Sequence, residues 1–388
     1  MRRVFYLTRS YLPDQSGGIL MRVAAVNFLR DKGYQVIVVT PGSNNKIVQQ
    51  DDIWYIPHNM KLPKRLSMKL NALYAQYGIY EDYLDPWVKQ AYDYLKGHLS
   101  NDDIIFATCG GELGNIKLGS LLKRIINCKF IVNFRDPLNH SLVNNMKTHG
   151  NFYVSREENE KKYLSNADMI VTSNQSHLKS LKTKYPELSS KLTNNYFGYM
   201  EKANLLPRQA NNELKIAYSG TFTATQRPEI LAQAIEALKR DNLKLQAYFI
   251  GQYQQYPPIF NYTNQNMFIP FMPHAEYVEF MLKNIDVGLI SLADDYFGAC
   301  VPSKLYEYIN LGIPIIGALP EGDAMDIINK NQYGIACRYD DNISLQNAIR
   351  KMTDRNIYNE FRKNILRDRD IWFMGERIKE VVGWMQAL

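Results

Sequence analysis

Residues 3–41 read RVFYLTRSYLPDQSGGILMRVAAVNFLRDKGYQVIVVTP, and their order decides the fold class. Residues 3–8 (RVFYLT) form an apolar run of strand length. A loop follows, with Gly17 and Gly18 near its end. Residues 19–32 then place Met21, Val23, Ala24, Val26 and Phe28 at mixed helical spacing, and Gly33 stops the helix. Residues 35–40 (QVIVVT) are a second strand, ended by Pro41 and Gly42. Strand, helix and strand in this order start a parallel sheet, because parallel neighbours need a long crossover and a helix supplies it.

The same rhythm continues outward. Residues 103–108 (DIIFAT), 129–133 (KFIVN) and 168–172 (DMIVT) are further strands of a first sheet. After residue 199 the pattern restarts. Residues 214–219 (LKIAYS) are a strand. A helix over 228–240 carries Ile230, Leu231, Ala234, Ile235 and Leu238 on one face, with Pro228 in its first turn. Strands over 245–250, 267–270, 287–291 and 313–317 follow. Residues 201–213 are polar and read as a linker. The fold class is therefore α/β: two tandem domains with parallel sheets, 1–199 and 200–364. A last helical stretch, 365–388, carries Trp372, Phe373 and Trp384 and is expected to pack back toward the first domain.

Composition agrees with two cores. A chain of 388 residues suits two domains of ~100–200 residues each. Apolar residues are 46% and charged residues 22%, which excludes wholesale disorder. A net charge of +7 fits an anionic ligand or an anionic membrane surface. The four cysteines lack metal-ligand spacing, so a reduced, cytoplasmic compartment is expected. The N-terminus reads as a strand rather than a signal peptide, and no apolar run reaches the ~18 residues of a membrane span. The 27 tyrosines suit sugar-facing or interfacial surfaces, or alternatively ordinary core usage.

Four stretches carry chemistry. Gly17 and Gly18 lie between a strand and a helix, where backbone N–H groups and the helix dipole favour an anion; the alternative is a simple tight turn. Arg135 and Asp136 follow a strand and so stand at the sheet's carboxyl edge, where ligands of open α/β sheets bind. Arg offers a planar donor fork and Asp accepts from hydroxyls; the alternative is a local ion pair. Gly220 and Thr221 with Arg227 form a candidate diphosphate cradle, or else ordinary loop chemistry. The strongest stretch is 301–308, VPSKLYEY, closed by Gly312 and Pro314. Ser303 is expected to cap this helix. Lys304 and Glu307, three apart, share a face: a cation for phosphate and a carboxylate for ribose hydroxyls, or alternatively a surface pair.

Taken in order, these stretches resemble the GT-B fold glycosyltransferases of the family-4 type, found in bacterial capsule, O-antigen and exopolysaccharide biosynthesis. The resemblance covers nearly the whole chain and rests on YLPDQSGGILMRVAAVNFLRDKGYQVIVVTP, ADMIVTSNQSHLKSL, LKIAYSGTF with RPEILAQAI, and VPSKLYEYINLGIPIIG. It implies two Rossmann-like domains with a cleft between them and a nucleotide diphosphate sugar as donor, UDP favoured. Gly17 and Gly18 would lie near the donor phosphates. Gly220, Thr221, Arg227, Ser303 and Lys304 would lie along the diphosphate, with Pro302 and Leu305 also in the donor site. Glu307 would hold the ribose, and backbone around Phe271 and Met272 would meet the base. Arg135, Asp136 and Lys304 would be the catalytic set. Transfer would retain anomeric configuration with no metal and no cofactor. Two positions depart from the family pattern: Ala299 stands where many members carry a Glu, and Arg135 where many carry a His.

The resemblance implies a glycan or polyprenyl-diphosphate-linked acceptor. Residues 61–74 (KLPKRLSMKLNALY) read as a basic amphipathic helix that can dock on an anionic leaflet, or simply pack on its own domain. The expected location is cytoplasmic, peripheral on the inner face of the membrane. Two other functions stay open. One is a non-catalytic nucleotide-sugar-binding partner of another transferase, suggested by Ala299. The other is a GT-B sugar-nucleotide epimerase, which would need acid/base side chains that the six histidines do not supply at any strand end. A dehydrogenase is disfavoured by the missing GxGxxG, and nucleic-acid binding by the lack of a reader motif.

Overall fold

The computed structural model describes residues 2–13, 17–58, 64–139, 155–206, 213–238, 241–262 and 266–388. The chain divides into two compact units: Met1–Tyr196 with Arg377–Leu388, and Phe197–Glu376.

The first unit runs β1 (Arg3–Leu7), α1 (Gly17–Asp31), β2 (Gln35–Gly42), β3 (Val48–Gln50), β4 (Ile53–Pro57), α2 (Lys64–Gln76), α3 (Asp85–Leu95), β5 (Ile104–Gly110), α4 (Gly114–Ile125), β6 (Lys129–Asp136), α5 (Glu160–Leu164), β7 (Met169–Thr172), α6 (Gln175–Lys184) and β8 (Leu192–Asn194). Among the described residues its sheet has the order β3-β4-β2-β1-β5-β6-β7-β8, parallel except for the β3–β4 pair. Alternate residues of each strand serve opposite cores, as the two-residue period requires. Phe5, Leu7, Ile37 and Val39 pack with Trp87, Leu95, Ile116 and Leu122 of α3 and α4. Val4, Tyr6, Val36 and Val38 pack on the other face with Val26 and Leu29 of α1.

The second unit runs β9 (Leu214–Gly220), α7 (Glu229–Leu238), β10 (Leu245–Gly251), β11 (Asn266–Ile269), α8 (His274–Asn284), β12 (Val287–Ser291), α9 (Ser303–Asn310), β13 (Ile315–Leu319), α10 (Asp323–Lys330), β14 (Gly334–Arg338), α11 (Asn342–Met352) and α12 (Arg355–Asp368). Its described strands are all parallel, in the order β11-β10-β9-β12-β13-β14. In both sheets the first strand has its successor on one side and a later strand on the other. That reversal opens a crevice beyond the carboxyl ends, between β1 and β5 and between β9 and β12.

Residues 365–388 are not one helix. After α12 a tight 3-10 turn, Arg369–Trp372, precedes α13 (Met374–Ala387). The break is fixed by Tyr199, whose N–H donates to Trp372 O at 3.0 Å and whose carbonyl accepts from Met374 N at 2.9 Å. Trp372 Nε1 donates to Tyr333 Oη at 3.0 Å, which ties the turn to the second unit. From Arg377 onward the chain belongs to the first unit, where Ile378, Val381, Val382 and Met385 join the core of Val4 and Tyr6. Each buried side chain there contributes about 1.5–3 kcal/mol.

Residues 61–63 of the proposed membrane segment lie outside the described residues, and α2 covers the rest. Ser67, Asn71, Ala72 and Ala75 are buried and Met68 packs against the core, while Leu66 and Tyr74 and, just beyond the helix, Tyr77 and Ile79 are exposed.

Gly119 on α4 lets that helix sit against β6, since a Cβ there would stand 2.3 Å from Phe130 Cε2. Gly119→Ala is therefore expected to destabilise the protein by about 1–3 kcal/mol through overpacking. Gly383 on α13 has no atom within 4 Å of its Cβ position, and Gly383→Ala should stabilise by up to ~1 kcal/mol through helix propensity. Urea unfolding midpoints of the two variants check both signs.

Candidate active site

At the crevice of the second unit, β9 ends in Ser219 and Gly220. Gly220 has φ 115°, and a Cβ on it would lie 2.7 Å from Lys304 Cε. Glycine is required here by conformation and by space alike. Lys304, the second residue of α9, extends over Tyr218, with Nζ 4.7 Å from the ring centroid. Nζ donates to Gln226 Oε1 at 3.1 Å. Gln226 is held in turn, its carbonyl accepting from Ser291 Oγ at the end of β12. Burial lowers the Lys304 pKa to about 8, because no carboxylate compensates the desolvated ammonium.

One turn along α9, Glu307 shares the face of Lys304. Its Oε1 is buried without a hydrogen-bond partner among the described residues, and His274 Nε2 stands 3.5 Å away at the start of α8. The contact with Glu307 raises the His274 pKa. Below this pair, Ser219 Oγ is hydrogen-bonded to Tyr277 Oη at 2.9 Å and to Tyr308 Oη at 3.2 Å. Burial raises the pKa of both phenols and keeps them protonated. The crevice thus offers a cation, an unsatisfied carboxylate oxygen and a hydroxyl cluster.

The remaining expected residues fall around it in different ways. Thr221 and Ser303 are exposed, Pro302 is half-buried, and Phe271 is 73% exposed beside half-buried Met272 in the loop between β11 and α8. Arg227 has φ 38° and lies 3.9 Å from Glu229 Oε1, a weak pair. One expectation is corrected: Ser303 does not cap α9, since Pro302 holds the cap position and no side chain bonds the first turn. Leu305 faces the core at 0% exposure and its N–H donates to Pro302 O.

In the first unit, Gly17 and Gly18 open α1, and Arg135 and Asp136 end β6. Arg135 Nη1 donates to Gly18 O at 2.5 Å, so the two motifs meet. The register of β5 on β6 shifts between Cys109 and Gly110, opposite Asp136, a bulge of the kind that re-aims residues at a sheet's edge. Reading by stretches missed Tyr218, Gln226, His274 and Tyr277, which lie on other elements than VPSKLYEY, and Tyr308, which ends that motif on α9. The signal that was present was the strand-end position of Ser219 and the i+4 spacing from Lys304 to Tyr308.

No protein-family model and no curated protein sequence matches the chain. Solved structures do. The Anabaena Alr3699/HepE structure in complex with UDP-glucose is 12% identical, with a TM-score of 0.67 over 100% of both chains. The E. coli trehalose-6-phosphate protein bound with UDP-2-fluoro glucose is 12% identical, TM-score 0.69, over 100% of this chain and 99% of that one. The lipopolysaccharide outer core galactosyltransferase WaaB, apo form, is 12% identical, TM-score 0.68, over 100% and 99%. At this identity the likeness establishes the fold: two parallel-sheet α/β domains of GT-B type.

Lys304 gives the site a pH signature. Its folded pKa of about 8 lies below the ordinary 10.5, so between these values the unfolded chain binds more protons and stability rises with pH. Lys304→Met removes the desolvated charge. The variant should be the more stable below pH 8, with the gap to wild type closing toward pH 10.5. Denaturant unfolding of both proteins across that range checks it, and a gap independent of pH would refute the assignment.

Proposed function

We propose that the chain is a glycosyltransferase that moves a sugar from a nucleotide diphosphate sugar to a hydroxyl of a glycan or lipid-linked acceptor. The observation that carries this reading is that Lys304 and Glu307 share one face of α9 at the crevice of the second unit's sheet, the cation buried with no carboxylate partner and the carboxylate facing His274. Lys304 neutralises the diphosphate. Glu307 accepts from the two ribose hydroxyls, and the exposed Phe271 with Met272 meets the base. UDP is the favoured nucleotide, supported by the UDP-glucose and UDP on HepE and by the UDP-2-fluoro glucose on the trehalose-6-phosphate protein. WaaB, a lipopolysaccharide galactosyltransferase of the same fold, supports a place in surface polysaccharide biosynthesis, and the sequence resemblance supports the family-4 type.

In the proposed reaction the bond from C1 to the diphosphate oxygen breaks first, and its electron pair leaves on that oxygen. Cationic side chains receive the charge in place of a metal, Lys304 foremost with Arg227. The acceptor hydroxyl bonds C1 on the face just vacated, and its proton passes to the departing oxygen, the nearest base. Configuration is retained. Asp136 orients sugar hydroxyls.

Ala299 favours one second reading, a nucleotide-sugar-binding partner without turnover, since the family's first Glu is missing. The exposure of Leu66 and Tyr74 on α2 and of Tyr77 just beyond it supports peripheral contact with a membrane, and no helix among the described residues is long and apolar enough to cross one.

Calorimetry with UDP, GDP, ADP and CMP tests the donor site. UDP binding at micromolar strength, lost in Lys304→Ala/Glu307→Ala, is the expected result; no nucleotide binding at all would end the transferase reading. Lys304→Ala alone should lower kcat ~100-fold or more with KM little changed. UDP binding without turnover on any acceptor would favour the non-catalytic partner. Separately, the protein should sediment with anionic liposomes more than with neutral ones, and equal partition would refute electrostatic docking.

A further inference from the structure

Lys304 is a buried cation whose partners are neutral. Its Nζ donates to Gln226 Oε1 at 3.1 Å and stands 3.5 Å from Tyr218 Oη, above the Tyr218 ring. Burial keeps the Tyr218 phenol protonated, so it offers no charge. Glu307, on the same helix, faces His274. In the turn before α7, Arg227 and Glu229 face each other at 3.9 Å. No charged group offsets the water that Lys304 has lost. An ammonium so placed needs a well-aimed oxygen, or it gives up its proton.

Gln226 supplies that oxygen from a fixed position. Its N–H donates to Thr223 O at 3.0 Å, and its carbonyl accepts from Ser291 Oγ. The adjoining Thr225 carbonyl accepts from Ala293 N at 2.7 Å. These bonds tie the turn to the end of β12, the strand beside β9. Arg227, the next residue, has φ 38°, uncommon for a residue with a side chain. Tyr218 Oη, which donates to Thr221 O, stands 3.1 Å from Gln226 Oε1. An ammonium only donates, so the amide presents its oxygen to Lys304 and not its nitrogen.

The neutrality of this partner matters. A carboxylate in its place would pair with Lys304 outright and repel a diphosphate. An apolar side chain would leave the ammonium without an acceptor. An amide oxygen holds the charge through one hydrogen bond, which an anion can displace because it adds charge attraction to the bond. We propose that Gln226 is a positioning residue of the candidate donor site: its amide oxygen holds the Lys304 ammonium in place and yields it to the donor's diphosphate. The role toward the donor rests on the transferase reading; the hold on Lys304 does not.

The experiment compares wild type, Gln226→Met and Gln226→Glu. Gln226 is half-buried, and methionine matches its length, so both variants should fold. The first readout is the titration of Lys304 by NMR of lysine labelled with carbon-13 at Cε, its signal assigned by its loss in Lys304→Met. In Gln226→Met the midpoint should fall below the wild-type value of about 8, and in Gln226→Glu it should rise above it. The second readout is calorimetry with UDP. Relative to wild type, Gln226→Met should bind ~10-fold more weakly at about pH 8.5 but within ~3-fold at about pH 6.5, and Gln226→Glu ~10-fold more weakly at both. A Lys304 midpoint that is the same in Gln226→Met as in wild type overturns the proposal. So does an equal loss of UDP affinity in Gln226→Met at both pH values, which a merely structural role would give, or Gln226→Glu that binds UDP as tightly as wild type. Wild type that binds no UDP while the Lys304 midpoint still moves as expected would sink the donor reading and leave the hold of Gln226 on Lys304 supported.

Discussion

A parallel strand buried on both faces has room for polar chemistry only past its carboxyl end. Both sheets obey that constraint. β1 and β9 are buried and largely apolar through their centres, and polar residues gather past their carboxyl ends, around Arg9 and Gly220. The reversal of strand order beside each of these two strands separates the neighbouring loops and lets helix N-termini approach. Lys304 and Glu307 reach the crevice of the second unit from such a helix.

The fold was legible because hydrophobic periodicity is strong in both halves. The runs RVFYL, QVIVVT and LKIAYS are strands that the sheets use at their centres. The break at residues 369–373 was not legible, since it is made by Tyr199, about 170 residues earlier, offering its backbone to Trp372 and Met374. The facing of α2 was not legible either, since neighbouring packing selects Ser67, Asn71, Ala72 and Ala75 for the interior and leaves Leu66 and Tyr74 exposed.

The candidate site was half legible. Lys304 and Glu307 could be found because a helix brings i and i+3 together, and Gly220 because a strand ended there. Gln226, Tyr277 and His274 could not, since only tertiary structure carries them to Lys304, Ser219 and Glu307. The side chain of Leu305 faces the core although the motif around it is contiguous, because a helix turns each successive side chain by ~100°.

The second unit is contiguous, but the first is not: its core is completed by residues 377–388. A ribosome therefore releases the two in unequal condition. Residues 197–376 can fold as soon as they emerge. The earlier sheet waits, with the flank of Val4, Tyr6, Val36 and Val38 lacking Ile378 and Met385, until the whole of the second unit has been made. A ribosome stalled anywhere between residues 197 and 376 would hold out an apolar sheet face, a substrate for chaperones that the finished protein no longer offers.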